Sequence, residues 1–294
     1  MLSVIAPAKV NLLLAVGALR PDGYHDVTTV LHALELHDTV WIEPAEALDV
    51  VCDVDLGVPS AENLAHRAAV AMERAFGRAA AFRISVEKRI PAGAGLGGGS
   101  SDAAAVVAGI AHAWGMSPRD ERCVAVAAEI GADVPFFLVP GGCALMTGRG
   151  DVLEREVPGI EGVPVVVVKP DEPVSTAGAY REFDEQSVAQ GDAARLLAAL
   201  VAGDADAVAA SISNNMESAS FRVTPVVADV LGRVKAQPGI RAAMVAGSGS
   251  AVFGLCDDGA AASRVSEAAR RLGWWSVPTA LRTQGVSITD AEDA

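Results

Sequence analysis

The stretch Pro91-Ala-Gly-Ala-Gly-Leu-Gly-Gly-Gly-Ser-Ser-Asp102 decides how this chain is read. It holds five glycines and two serines between a strand-like run, Phe82 to Ile90, and a helix-like run, Asp102 to Trp114. Glycine lets a backbone turn tightly and approach a bulky anion, since no Cβ intervenes. A helix behind such a loop turns free N–H groups and partial positive charge back on it. The expectation is a phosphate cradle. A flexible connector would not need a strand and a helix as its frame.

Two familiar cradles fit poorly. A Walker-type loop needs a lysine after its last glycine, and none follows here. Gly93, Gly95 and Gly98 do satisfy G-x-G-x-x-G. A dinucleotide unit, however, needs a second parallel strand ending in an acidic residue. Instead Ser117-Pro118 reads as a cap and first-turn proline, and Asp120 to Ile130 as another helix. Ser100 and Ser101 are expected to cap the helix after the loop, as serine does well. Asp102 suits the helix dipole. Beside a polyanion it is expected to point away or to act through a metal ion.

Composition narrows the classes. The chain has 294 residues, 51% hydrophobic and 20% charged, enough for one large domain or two ordinary ones. A net charge of −14 disfavours nucleic acid and requires any anionic ligand to be drawn by a local basic spot. Cys52, Cys123, Cys143 and Cys256 stand singly, which argues against zinc and for reduced core thiols of a cytoplasmic protein. Met1 to Leu19 lacks a basic leading region and carries Lys9 and Asn11 in its middle, so it reads poorly as a signal peptide. No uninterrupted apolar run reaches ~18 residues, so no membrane span is expected.

The pattern of elements predicts an α+β protein. Strands are expected at Val10 to Val16, Val27 to Leu36, Thr39 to Ile42, Leu48 to Cys52 and Phe82 to Ile90. Helices are expected at Ala61 to Phe76, Asp102 to Trp114 and Pro118 to Ile130, and a hairpin over Phe136 to Met146. Residues 157–163 are the best domain boundary, giving halves 1–156 and 157–294. The second half reads as strand Val163 to Lys169, helices near 176–183, 192–201, 204–211 and 225–236, strands 242–246 and 251–256, helix 260–272 and a strand near 275–281. Thr224-Pro225 reads as a cap followed by a first-turn proline. The acidic tail from Thr289 is expected to fray.

Three further constellations stand out. Pro7-Ala-Lys9-Val-Asn11 places a lysine in an apolar strand, which is costly unless its head is paired or reaches solvent. Gly131-Ala-Asp133-Val-Pro135 follows a helix; Gly131 suits the left-handed position past its end, and Asp133 reads as a turn residue before an apolar strand. Gly247-Ser248-Gly249-Ser250 between two apolar strands reads as a hairpin turn.

Together these pieces resemble the GHMP kinases, the family of galactokinase, homoserine kinase and mevalonate kinase. The order is the family's: a lysine-bearing first motif, a glycine-serine loop and a glycine-rich third motif. Within it, Pro7-Ala-Lys-Val-Asn-Leu, Arg20-Pro-Asp-Gly-Tyr-His, Glu62-Asn-Leu, Lys88-Arg-Ile-Pro and Gly131-Ala-Asp-Val-Pro-Phe are similar to the branch acting on a cytidine diphosphate-linked methylerythritol. Asn214-Asn-Met-Glu217 departs from the N-D-L-E frequent there, and Ala92 and Ala94 interrupt a run that is fuller in some relatives.

The resemblance implies a two-domain fold, with an N-terminal domain like ribosomal protein S5 domain 2 and a ferredoxin-like C-terminal domain. It implies an ATP- and Mg2+-dependent kinase of isoprenoid precursor synthesis, working as a monomer or weak homodimer. Lys9 and Asp133 would be catalytic. Pro91, Ala92, Gly93, Ala94, Gly95, Leu96, Gly97, Gly98, Gly99, Ser100 and Ser101 would bind ATP, with Asn63, Leu64 and Lys88 lining the adenine site. Asn11, Tyr24, His25, Thr176, Tyr180, Gly247, Ser248 and Gly249 would bind the acceptor. Tyr24 and Tyr180 would flank its cytosine, and His25 would hydrogen-bond it. No protein ligand of the metal is assigned. Other kinases of the family, a nucleotide-binding module without transfer activity and an oxidoreductase are the alternatives.

Overall fold

The computed structural model describes residues 1–55, 57–186, 188 and 191–290. The first half runs β1 (Leu2–Leu19), β2 (His25–Pro44), β3 (Asp49–Cys52), a short 3-10 turn (Ser60–Glu62), α1 (Leu64–Phe76), β4 (Phe82–Glu87), α2 (Gly98–Ala113), α3 (Glu121–Ile130), α4 (Val134–Phe137), β5 (Cys143–Thr147) and β6 (Val152–Glu156). The second half runs β7 (Pro164–Lys169), α5 (Thr176–Asp184), α6 (Ala193–Ala202), α7 (Ala205–Ala209), β8 (Ser213–Asn214), α8 (Glu217–Val223), α9 (Val226–Lys235), β9 (Ile240–Val245), β10 (Val252–Cys256), α10 (Gly259–Arg271), β11 (Trp275–Arg282) and β12 (Ser287–Asp290).

β1 and β2 pair antiparallel along almost their whole length. Along its other edge β2 takes three partners in turn: β5 at residues 29–32, β11 at 33–34 and β4 at 39–44. β11 thereby joins the two halves. Lys9 sits opposite Ala33, which is itself opposite Arg282 of β11, so this lysine lies on the seam. Register shifts in β1 between Pro7 and Lys9 and between Asn11 and Leu13 bracket the two polar residues. Such bulges re-aim side chains and release backbone groups from the ladder. The Lys9 N–H is used in this way, donating to the Leu96 carbonyl in the glycine loop at 2.9 Å.

The second half has the strand order β11-β7-β10-β9, all antiparallel. In chain order that is fourth, first, third, second, the ferredoxin-like arrangement. Both faces of this sheet are covered. Val165 and Val167 of β7 face β1, α6 and α7, while Val166 and Val168 face α5, α8, α9 and α10. Burial on both sides explains an uninterrupted valine run where a half-exposed strand would alternate. Each such side chain contributes about 1.5–3 kcal/mol on burial. α1, α2 and α3 cover the sheet of the first half.

Several expectations change. β2 is one strand through His37 and Asp38, because the buried Asp38 carboxylate is fully used by donors from the β4 end: Lys88 Nζ and the N–H groups of Arg89 and Ile90. α2 starts at Gly98, with Gly97 at its N-cap, so Ser100 and Ser101 lie inside the helix and cap nothing. α3 starts at Glu121, capped by Asp120 rather than by Ser117. Pro225, not Thr224, holds the N-cap position of α9, and the Thr224 hydroxyl donates to the Pro173 carbonyl at 3.2 Å. Phe136 and Phe137 belong to helix α4, not to a hairpin, since Pro135 sits in the first turn of that helix, where its fixed φ suits it. Gly131 has φ 179, an extended backbone, so it is not a left-handed helix end. α8 and β12 have no counterpart in the sequence reading. Thr289 and Asp290, expected to fray, pair with Ser3 and Leu2, and residues 291–294 of that tail lie outside the described residues.

Candidate active site

Three cavities follow one another along the seam. The first, about 370 Å³, lies over the glycine loop and is lined by Pro91 to Gly95, Gly97 to Ser100, Asn63, Leu64 and Lys88. The second, about 260 Å³, holds Lys9, Asn11, Thr29 and Asp133. It shares Gly95 and Gly97 with the first. The third, about 550 Å³, is lined by Tyr24, His25, Tyr180 and Asp184. It shares Val27, Arg149, Thr176 and Tyr180 with the second.

The glycine loop is held by close backbone approach. A Cβ on Gly95, at φ +77, would collide with the Ala246 carbonyl oxygen, and one on Gly97 would stand 2.9 Å from the Phe137 ring. The Ala251 N–H also donates to the Ala94 carbonyl at 3.1 Å. The third motif therefore packs on the second. Sequence reasoning placed no role on Asn214-Asn-Met-Glu217, yet that segment is the brace. Asn214 donates to the carbonyls of Val245 and Gly247, Asn215 exchanges two bonds with the Val16 backbone, and Glu217 accepts the Val245 N–H.

In the middle cavity Lys9 is only 4% exposed. Its ammonium donates to Asn11 Oδ1 at 2.9 Å and lies 3.4 Å from Asp133 Oδ2. Asn11 in turn donates to Thr29 Oγ1 at 2.9 Å, and Thr29 to the Leu13 carbonyl at 2.6 Å. A buried cation is tolerable only when paired and hydrogen-bonded, and this chain of bonds meets that need. Asp133 sits at the N-terminal edge of α4 and is 35% exposed, open to a ligand. Thr29 carries no motif in the sequence; only the β1–β2 register reveals it.

Below the first cavity, Lys88 Nζ bridges Asp38 and Asp102, the latter at 2.6 Å. Its ammonium is thus committed to carboxylates, although Lys88 still lines the cavity. Burial pushes the Asp102 carboxyl up to about 7, against the pull of Lys88. Burial alone would lower the Lys88 ammonium, but the two carboxylates carry it above its ordinary value. Asn63 accepts the Ala65 N–H and so caps α1, while Thr176 and Ser248 exchange a hydroxyl bond at 3.1 Å. Leu96 and Ser101 are buried, and neither they nor Gly249 line the three cavities.

In the third cavity Tyr24 is 54% exposed, and His25 is buried against Tyr180 with ring centroids 5.1 Å apart. His25 Nε2 bonds Asp184 Oδ1 at 2.7 Å. With the carboxylate accepting from Nε2–H, a neutral ring keeps Nδ1 as an acceptor. Asp184 and Arg149 were not singled out from the sequence, since each is an isolated charge near a turn or helix end.

A glycine loop opening on a lysine–aspartate pair is an arrangement suited to phosphoryl transfer onto a small molecule. The family descriptions "GHMP kinases N terminal domain" and "GHMP kinases C terminal" match residues 63–141 and 196–273. A 4-diphosphocytidyl-2-C-methyl-D-erythritol kinase of Pelotomaculum thermopropionicum is 38% identical over 92% of this chain and 94% of its own. One of Gloeobacter violaceus is 38% identical over 88% of this chain and 87% of its own. A solved 4-(cytidine 5'-diphospho)-2C-methyl-D-erythritol kinase superposes with a TM-score of 0.81 at 36% identity, over 95% of this chain and 99% of that one. Homoserine kinase from Cytophaga hutchinsonii shares the fold, with a TM-score of 0.75 at 18% identity. The chain belongs to the GHMP kinases. It is a kinase, and its fold is the two-part α+β fold of that family, with ATP as phosphoryl donor.

Proposed function

We propose that this chain transfers the γ-phosphoryl group of ATP to the 2-hydroxyl of 4-diphosphocytidyl-2-C-methyl-D-erythritol, a step in making isoprenoid precursors outside the mevalonate route. The observation that carries the reading is the line of three cavities, with the Lys9–Asp133 pair between the glycine loop and an aromatic slot. The high identity to kinases of that name over most of the chain supports it.

The donor's phosphates lie along the Pro91–Ser100 backbone, and adenine lies toward Asn63 and Leu64. The acceptor's hydroxyl enters the middle cavity, where Asp133 aligns it and takes its proton. Lys9 offsets the negative charge gathered on the carboxylate and the transferring oxygens. Asn11, held by Thr29, orients the acceptor. Phosphoryl transfer depends on such positioning and charge balance more than on covalent help. Gly247 and Ser248 close the cavity, and Ser248 is steadied by Thr176.

Cytosine lies between Tyr24 and Tyr180. The Nδ1 acceptor left on His25 by Asp184 matches the exocyclic amine of cytosine and not the carbonyl of uracil. Magnesium, when bound with ATP, supplies charge neutralisation of the phosphates. The described residues form no cluster of three acidic, histidine or cysteine side chains, so the phosphates and water would hold most of it. Ser100 of the first cavity and Asp133 of the second are among the oxygen donors that line them, and they would complete the metal's coordination. Residues 1–156 are assigned to the ATP-binding half and 157–294 to the second. All the named groups come from one chain, so a monomer or weak homodimer suffices. Four free thiols suit the cytoplasm, and among the described residues no helix is long and apolar enough to cross a membrane.

An ADP-release assay over a panel of acceptors tests this reading. The cytidine diphosphate-linked alcohol should be turned over, its uridine analogue at least about 10-fold less well, and homoserine and mevalonate hardly at all. Equal use of the cytidine and uridine compounds would reject the base-reading part. Preference for homoserine or mevalonate would reject the whole.

A further inference from the structure

The wall shared by the second and third cavities holds one cation, Arg149, with Val27, Thr176 and Tyr180. Arg149 lies on the turn between β5 and β6, flanked by Gly148 at φ 70 and Gly150 at φ 91. The Val27 N–H donates to the Gly148 carbonyl at 2.8 Å, which docks this turn onto β2. Asp151 accepts from Arg149 Nε at 3.1 Å, from Nη2 at 2.8 Å and from the Arg149 N–H at 3.0 Å. The Asp151 carboxyl, pushed up by burial, ends below its ordinary value because these bonds outweigh the burial. The guanidinium also lies 4.9 Å above the Tyr24 ring. Two of its nitrogens are thus anchored, and Nη1 takes no partner among the described residues.

An acceptor with its base in the third cavity and its hydroxyl beside Asp133 must pass its linking group along this wall. In a chain of net charge −14, a linking anion needs a local cation. Lys9 faces Asn11 and Asp133, and Arg181 lines only the third cavity and an outer one. We propose that Arg149, oriented by Asp151, binds the diphosphate of the acceptor and so sets the distance between the base and the reacting hydroxyl. This inference rests on the acceptor assigned above. It makes Arg149 a specificity residue for nucleoside diphosphate over nucleoside, distinct from the tyrosines that hold the base.

The test is equilibrium binding of cytidine and of CDP, with the donor cavity filled by a saturating non-hydrolysable ATP analogue. The wild-type chain should bind CDP more tightly than cytidine. Arg149→Gln should erase about 10- to 100-fold of that advantage, the worth of a charge-assisted phosphate contact, while cytidine affinity stays within about 3-fold. Arg149→Lys should restore only part of it, since an ammonium lacks the fork that Asp151 anchors. Arg181→Gln should keep the full advantage. An undiminished advantage in Arg149→Gln overturns the proposal. So does an equal loss for both ligands, which would mean that Arg149 acts only through Tyr24. A wild-type chain that binds cytidine but gains nothing from the diphosphate also overturns it. Failure of the wild type to bind either ligand would instead bring down the acceptor assignment, and this inference with it.

Discussion

Lys9 and Tyr24 belong to one strand-and-turn unit, yet Lys9 is 4% exposed and Tyr24 54%. The proposed reaction centre is built inside a sheet. Its lysine is bracketed by bulges, paired across β2, and linked through Asn11 and Thr29 to the strand backbone. The proposed base slot is built from the turn between β1 and β2, the first helix after β7 and a hairpin tip. Chemistry requires atoms held to fractions of an ångström, which packed strands supply. Admission of a large acceptor requires an open rim, which turns supply. Loss of a group at the centre should therefore strike turnover, and loss of a group at the rim should strike affinity.

The sharpest break would come from Asp133→Asn and Lys9→Ala. Each should lower kcat by about 10²- to 10⁴-fold with ATP affinity within a few-fold. Steady-state kinetics beside equilibrium ATP binding would check this, and near-normal turnover in either variant would place the chemistry elsewhere. Next comes the joint between the two glycine motifs. Gly95→Ala should cost about 1–3 kcal/mol of stability, because its Cβ meets the Ala246 carbonyl at a positive φ. Urea unfolding of the variant would measure it. An unchanged midpoint would show that the two loops separate at no cost.

At the rim, Tyr24→Ala should raise the KM for the cytidine-bearing acceptor by about 10- to 100-fold, the worth of one stacked base, and leave kcat nearly alone. A fall in kcat alone would erase the distinction between centre and rim. Within the centre, Thr29→Val should cut kcat by up to about 10-fold through loss of the Asn11 anchor, without moving KM as far as Tyr24→Ala does. Acceptor titrations of both variants give that contrast directly.

The smallest effects concern stability against pH. His32 is buried with Nδ1 bonded to the Ala33 carbonyl and Nε2 accepting the Ile160 N–H, and burial lowers it to about 4. Between pH 4 and about 6.5 the unfolded chain binds a proton that the folded one refuses, so this group makes stability rise with pH. Burial instead raises Asp102, to about 7. From about pH 4 to 7 the folded chain keeps a proton that the unfolded one loses, so this group makes stability fall as pH rises. The slopes oppose each other. Asp102→Asn should therefore steepen the rise of the urea midpoint between pH 5 and 7, and His32→Gln should flatten it. Identical slopes in the wild type and both variants would show that neither group titrates across folding.

Much of this was legible in the chain. Glycine spacing marked the loop proposed to cradle phosphate, because only glycine permits its close backbone approach. Valine runs marked buried strands, and Lys9, Asp133, Tyr24 and His25 stood in local patterns specific enough to name a family. Less visible were groups whose role exists only across the fold. Thr29 matters through strand register, Asn214 and Glu217 through a loop far along the chain, and Asp38 through three donors from the end of β4. Asp38 also misled the reading of β2, since a buried carboxylate within a strand looks like a break until its partners are known.

Local sequence by itself determined the cradle, the order of motifs and the valine-rich sheet, because those follow from backbone freedom and from the period of apolar side chains. Tertiary structure alone decided that Lys9 faces Asp133, that Lys88 is committed to two carboxylates, and that Arg149 stands between the reaction centre and the base slot. Charges act over a few ångströms of space, and the spacing along a chain does not reveal which of them meet.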